Sequence, residues 1–343
     1  MRKVRNVHER LINAPAERVG ALLDRLASDD DPVWPAPAWP AMRFDRPLGV
    51  GAEGGHGPIR YTVEEYEPGV RIRFRFPPPG GGFHELAVEP LGPDRCRVRH
   101  DMVIGTTGPE LLTWPLAVRW MHDAVVEEVL DNLQRAAGDT VGRPVRWTSW
   151  VRLLNRVLWE RPRAVPAPPP EAGLARRALH RVDFADAWQV RLHPAMPGDP
   201  DTWAAAFARP PVAVRALLLL RQALVGLIGI RPGPARGGFP ETGRTEHELL
   251  LGLDAGHLDF RLSVLTTGRA VTFTTVTAIH NRRGRLYWAV VRRLHPAVVR
   301  AMARRAHRDI ALRSTPAARA GTAASGRPHA ARFRLPRISS RPR

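Results

Sequence analysis

His84 and His100 stand at matching places in two strand-like runs, 83–91 and 95–104, joined by the turn Gly92-Pro93-Asp94. If Leu86, Val88, Val98 and Met102 face inward, the two-residue period of a strand turns both imidazoles inward with them. Two imidazoles facing one largely apolar interior suit general acid and base work, because burial and geometry tune their proton affinity toward a shared substrate. Strand histidines that hydrogen-bond locally would leave the same pattern, so both readings stay open. Tyr61 offers a phenol donor, although alternation does not say which way it points. His122 and Asp123 are neighbours in a helical run, where adjacent side chains diverge, and a dyad between them is not expected.

A second polar set lies farther on. His257, Asp259 and Arg261 share one strand face, with Leu258, Phe260 and Leu262 on the other. Such a ladder suits a carboxylate or carbonyl, with Arg261 as the anion contact and Asp259 orienting His257. The alternative is a solvated row of charges that neutralise each other. His280-Asn281 ahead of Arg282-Arg283-Gly284 reads as a hairpin turn, and Thr272, Thr274, Thr275 and Thr277 read as β-propensity. No Cys-x-x-Cys, His-Glu-x-x-His, P-loop or Gly-x-Ser-x-Gly motif occurs, so no metal site of standard spacing and no cofactor is expected. The glycine-rich run 49–57 lacks the preceding strand and following helix that a dinucleotide site needs.

These residues need elements to hold them. In the first part a strand-like run, 4–12, is followed by a helical one, 17–26, and a loop rich in Pro and Trp. Strand-like runs then cover 59–66, 70–76, 83–91 and 95–104 with short turns, as in an antiparallel meander. Arg71-Ile72-Arg73-Phe74-Arg75-Phe76 alternates strictly, so Ile72, Phe74 and Phe76 share the buried face. A long helix over 109–137, with Leu112, Leu116, Val118, Met121, Val125, Val129 and Leu133 as its apolar stripe, would cover that face. A basic amphipathic helix over 143–160 and a proline-rich linker over 161–170 follow.

The later part repeats the scheme. A strand-like run over 183–190 precedes helical runs over 201–207 and 212–228. Strand-like runs over 245–253, 257–266, 270–280 and 286–292 then lead to a helix over 296–309. Arg215, Arg221 and Gln222 interrupt the apolar stretch 212–230, and each arginine would cost about 2.5 kcal/mol or more inside a bilayer, so a buried helix is expected.

Asn13-Ala-Pro-Ala-Glu-Arg-Val19, Gly54-Gly-His-Gly-Pro-Ile-Arg-Tyr61 and Phe83-His84-Glu85 with Val88-Glu89-Pro90-Leu91 resemble the helix-grip superfamily of START-like and polyketide cyclase/dehydrase proteins. Gly252-Leu-Asp-Ala-Gly-His-Leu-Asp-Phe-Arg261, the run from Thr274 to Tyr287 and His295-Pro296 resemble domain-of-unknown-function family 2867. The resemblance implies an α+β chain of two tandem helix-grip domains at 1–140 and 178–310, a linking segment at 141–177, and a tail at 311–343. The first resemblance further implies a hydrophobic or amphipathic ligand, expected among Tyr61, Ile72, Phe74, Phe76, His84, His100 and Met121; the second implies little function, and the row His257, Asp259 and Arg261 is the candidate contact set of its domain. A cyclase- or dehydratase-type enzyme using His84 or His100 is the alternative.

The formal net charge is +19, and the tail holds eight arginines without an acid. Such a tail is expected to be disordered and to attract nucleic acid or an anionic membrane loosely. With one cysteine, Cys96, no internal disulfide forms, and with no signal-like apolar run after Met1 a cytoplasmic location is expected.

Overall fold

The computed structural model describes residues 2–78, 80–158, 162–227 and 239–315. Its first unit is a seven-stranded antiparallel sheet. The strands β1 (Arg2–Ile12), β2 (Arg43–Phe44), β3 (Glu53–His56), β4 (Ile59–Glu67), β5 (Arg71–Arg75), β6 (Gly82–Gly92) and β7 (Arg95–Thr106) run in the order β1-β7-β6-β5-β4-β3-β2. Consecutive strands from β2 to β7 pair as a meander, and β1 closes the other edge against β7.

The alternation in β5 has a direct outcome. Ile72 and Phe74 are fully buried, while Arg73 on the outer face reaches Glu65 at 3.0 Å and Glu85 at 3.1 Å. The glycine-rich run forms the tight β2-β3-β4 edge: a Cβ on Gly54 would stand 2.1 Å from the Arg43 carbonyl oxygen. Helix α1 (Ala16–Leu23) approaches the β4–β5 turn equally closely, since a Cβ on Gly20 would lie 2.0 Å from the carbonyl of Gly69, itself at φ +75°. Asp24 fastens this contact by accepting from the Gly69 amide at 3.0 Å and the Tyr66 hydroxyl at 3.1 Å.

The single long helix expected over 109–137 is broken. Helix α2 (Glu110–Thr113), a π-helical turn (Trp114–Val118) and α3 (Arg119–Ala136) follow one another. Pro115 sits in that turn, where its missing amide and fixed φ disturb the helical ladder. Met121 is partly buried and Val125, Val129 and Leu133 are buried against the sheet, while Leu112, Leu116 and Val118 stay exposed. The amphipathic segment is helical over α4 (Ser149–Leu158); Val151 joins Trp147 in the first core, whereas Trp150, Val157 and Leu158 face outward.

The second unit is also α+β. Strands β8 (Val165–Ala167), β9 (Phe184–Arg191), β10 (Glu241–Arg244), β11 (Glu248–Ala255), β12 (Leu258–Thr266) and β13 (Ala270–Ile279) form an antiparallel sheet in the order β10-β11-β12-β13-β9-β8. The proline-rich segment is thus not only a linker, because Val165–Ala167 pairs with β9. Helices α5 (Leu174–Arg177), α6 (Pro200–Phe207), α7 (Val212–Leu227) and α8 (Arg282–Ser314) complete the unit. Asp199 caps α6 by accepting from the Thr202 amide at 2.8 Å, with Pro200 pre-set at the first helical position.

Two expectations near α8 are corrected. The run 286–292 is helix, not strand, and Asn281 is not a hairpin residue but the cap of α8, accepting from the Gly284 amide at 2.9 Å. An apolar run of that length satisfies either period; the cap and the burial of Trp288, Val299, Ala303, Ala306 and Ile310 decide for helix. The helix also continues through Ala311, which is fully buried, so 311–314 are ordered, while the rest of the proposed tail, 316–343, lies outside the described residues. Near its end α8 meets the first unit, where Arg308 donates to Asn155 Oδ1 at 3.3 Å and Leu312 packs on the first core. Among the described residues no single helix is long and apolar enough to cross a membrane.

Candidate functional site

Register carries the first site. On β1 the residues Val4, Asn6, His8, Arg10 and Ile12 share the parity of buried Ile12, so they face α3. His8 is the cross-strand partner of His100 on β7, and one step along the sheet His84 on β6 pairs with Phe74 on β5. Tyr61 points inward and is 3% exposed, which settles its parity.

A file of rings results. Tyr61 lies 4.8 Å from His84, His84 5.8 Å from His100, His100 5.1 Å from His122 on α3, and His122 6.1 Å from Trp114 in the π-helical turn. Phe74 stacks on His84 at 4.6 Å, and Phe76 lies 5.3 Å from the same ring. Along this file Tyr61 Oη, His84 Nε2, His100 Nδ1 and His122 Nδ1 are shielded from solvent and make no hydrogen bond within the chain. An unpaired buried polar group costs about 1–3 kcal/mol, so these four atoms are open to hydrogen-bonding partners from outside the chain.

Burial holds His84, His100 and His122 below the usual imidazole range, with neighbouring histidines adding to the effect at His84 and His100. Burial likewise pushes His56, on the far side of Tyr61, down to about 4, and raises the Tyr61 phenol. These groups are neutral donors and acceptors at pH 7. His8 is the opposite case. Burial alone would lower it, but Glu127 Oε1 at 2.7 Å from Nδ1 and Asp123 Oδ1 at 3.2 Å from Nε2 raise it to about 9. Arg10 braces one of these carboxylates, Glu127, at 2.7 Å and also pairs with Asp131 at 2.6 Å.

A cleft of about 520 Å³ opens beside this file, lined by Val4, Asn6, Thr106, Leu111, Trp114 and Arg119 among others. Trp114 belongs to both the cleft and the ring file. Ile72 and Phe74, expected as walls of an open cavity, are instead fully buried core. Met121 packs partly buried against that core.

In the second unit the expected ladder is not brought together. Asp259 pairs with His280 at 3.0 Å rather than with His257, Arg261 forms an ion pair with Asp254, and His257 meets the Tyr287 ring at 5.4 Å. Asp259 and Arg261 thus take partners outside the expected set, and His257 falls in the turn before β12. What the fold does assemble there is His295 of α8 with Asp186 of β9, at 3.1 Å, beside Phe184 and Trp288. Trp203, Phe207 and Phe273 fill the interior of this unit, the last two stacked at 4.4 Å.

Comparison with known proteins divides the chain at the same place. Residues 3–138 match the family described as polyketide cyclase / dehydrase and lipid transport. Residues 178–302 match a second family, DUF2867, described as a protein of unknown function. Each half therefore carries its own family signature. Among solved structures, norcoclaurine synthase from Thalictrum flavum is 13% identical, covering 40% of this chain and 88% of that one with a TM-score of 0.33. A Thermobifida fusca protein is 16% identical over 41% and 99% of the two chains with a TM-score of 0.31. A Nitrosospira multiformis protein is 18% identical over 43% and 99%, also with a TM-score of 0.31. No curated protein matches the sequence.

Proposed function

We propose that the first unit is a helix-grip domain that binds a small amphipathic molecule, with its apolar part in the Leu111–Trp114 cleft and its polar end at the file of imidazoles. The observation that carries this reading is the set of four shielded, unpartnered atoms on Tyr61, His84, His100 and His122. A guest with hydrogen-bonding groups along one edge would satisfy them, and the rings around them offer stacking surface. The family match to cyclases, dehydrases and lipid transport supports the same class of guest. Native mass spectrometry of the full chain purified from its own host tests it. A co-purified small molecule that is lost from a Trp114→Ala variant is expected. A clean apo mass, together with no uptake of an apolar fluorescent probe, would overturn it.

A second reading is catalysis on that guest. It is favoured by the side-by-side placement of His84 Nε2 and His100 Nδ1, both shielded and unpaired, on adjacent strands. Two such groups against one substrate can relay a proton while the surrounding rings hold a reactive chain folded. Incubating the co-purified molecule with fresh protein separates the readings: conversion by wild type that is abolished in the His84→Ala/His100→Ala variant at saturating molecule speaks for an enzyme, and a molecule that wild type leaves unchanged speaks for a carrier.

A further inference from the structure

Beside the ring file, His8, His122 and Asp123 converge so that one ligand atom from each lies within 4.8 Å of the others. His8 comes from β1 and the other two from α3, with His8 and Asp123 separated by 115 positions in the chain, so no local spacing announces the cluster. We infer that His8, His122 and Asp123 form a binding site for one divalent transition-metal ion, with zinc as the probe ion. It takes for the metal the His122 nitrogen that the small-molecule reading gives to the guest, and its test with zinc alone is read without any guest.

The distances carry the inference. Ligand atoms about 2.0–2.1 Å from a tetrahedral zinc lie about 3.3 Å from one another. His8 Nε2 and Asp123 Oδ1 are 3.2 Å apart, and His122 Nδ1 is 3.9 Å from that same oxygen. One ligand atom from each of the three residues lies within 4.8 Å of the others.

The surrounding bonds are those a metal site requires. His8 Nδ1 lies 2.7 Å from Glu127 Oε1, which would hold the proton there while Nε2, 3.2 Å from Asp123 Oδ1, gives up its own to a bound metal. Asn6 donates to Asp123 Oδ1 at 2.8 Å and Arg10 steadies Glu127 at 2.7 Å. Nε2 and Oδ1 thus face each other across a position that a proton or a metal ion can fill, and His122 Nδ1 stands 3.9 Å from the same oxygen. A metal ion can engage all three atoms at once. Two imidazoles and one carboxylate leave further coordination positions open, and His100, with its ring 5.1 Å from that of His122, stands next to them.

The test uses the full chain, stripped with a chelator and dialysed, with zinc alone titrated against a chromophoric competitor and cobalt used for its absorption spectrum. One equivalent of ion per chain and a cobalt spectrum of low coordination number are expected. His122→Ala should abolish stoichiometric binding, and the near-isosteric Asp123→Asn should do the same if the alanine variant fails to fold. Glu127→Gln, which acts on His8 from outside the ligand set, should weaken binding about 10–100-fold without changing the stoichiometry. His247→Ala, an exposed histidine in the second unit, should change nothing. Absence of stoichiometric uptake, or equal uptake by wild type, His122→Ala and Asp123→Asn, overturns the assignment and leaves His8 as an imidazolium held by two carboxylates.

Discussion

Glu128 offers the sharpest test of how the first unit is held together. It lies on α3, is 3% exposed, and accepts from the indole N–H of Trp39 at 3.2 Å and from that of Trp147. Burial raises its carboxyl from the ordinary 4.5 to about 7, with Asp131 adding to the rise and the two indoles and Arg135 opposing it. Between these values the folded protein binds a proton that the unfolded chain has released. The stabilisation is therefore fully present below about pH 4.5 and is lost as the pH rises through about 7. The gap between 4.5 and about 7 corresponds to about 3 kcal/mol. Glu128→Gln keeps an oxygen for both indoles and removes the ionisation, so its stability should not fall over that window. Urea unfolding of both proteins at about pH 5 and about pH 8, followed by tryptophan fluorescence, measures the difference directly. The variant should gain on wild type by about 3 kcal/mol between the two conditions. A wild-type-to-variant difference that is the same at both pH values would refute the reasoning, because it would mean that Glu128 is ionised in the folded state throughout.

Other outcomes follow from single contacts. Tyr61→Phe removes a shielded hydroxyl that has no partner within the chain, so it should raise the thermal midpoint, by an amount equivalent to about 1 kcal/mol, while weakening retention of the co-purified guest. Phe74→Ala empties a fully buried position stacked on His84 and should cost about 3–5 kcal/mol in chemical unfolding, a packing loss and not a change in an open wall. Leu111→Asp places a charge in the cleft and should suppress uptake of an apolar probe, whereas Leu91→Asp, at an exposed strand end, should leave uptake unchanged. Asn281→Ala removes the cap of α8 and should cost about 1 kcal/mol, read from the melting of the second unit.

Much of the architecture was legible before any coordinates. The strict alternation of Arg71 to Phe76 identified the buried face of β5, and the parity of His84 and His100 turned both imidazoles inward as the structure has them. Missed were His8 and His122. On β1 both faces mix charged and apolar residues, so period two gives no inside: Asn6, His8 and Arg10 face α3 while Val7 and Leu11 are exposed. For His122 and Asp123 the divergence of adjacent helical residues argues against a dyad, yet His122 Nδ1 stands 3.9 Å from Asp123 Oδ1, within ion-pair reach. That rule did not foresee that a third residue from another element could lie between them.

The sequence by itself determined what depends on near neighbours: the two α+β halves, the strand faces of the meander, the turns, and the absence of locally spaced metal or nucleotide motifs. Tertiary structure alone decided what depends on distance in the chain. It made 286–292 a helix through a cap and a core contact, paired Asp259 with His280 instead of His257, and set β1 against α3 so that His8, His122 and Asp123 meet. The reason is that periodicity reports which side of an element a residue occupies, whereas the partner across the gap is chosen by register and packing between segments far apart in the chain.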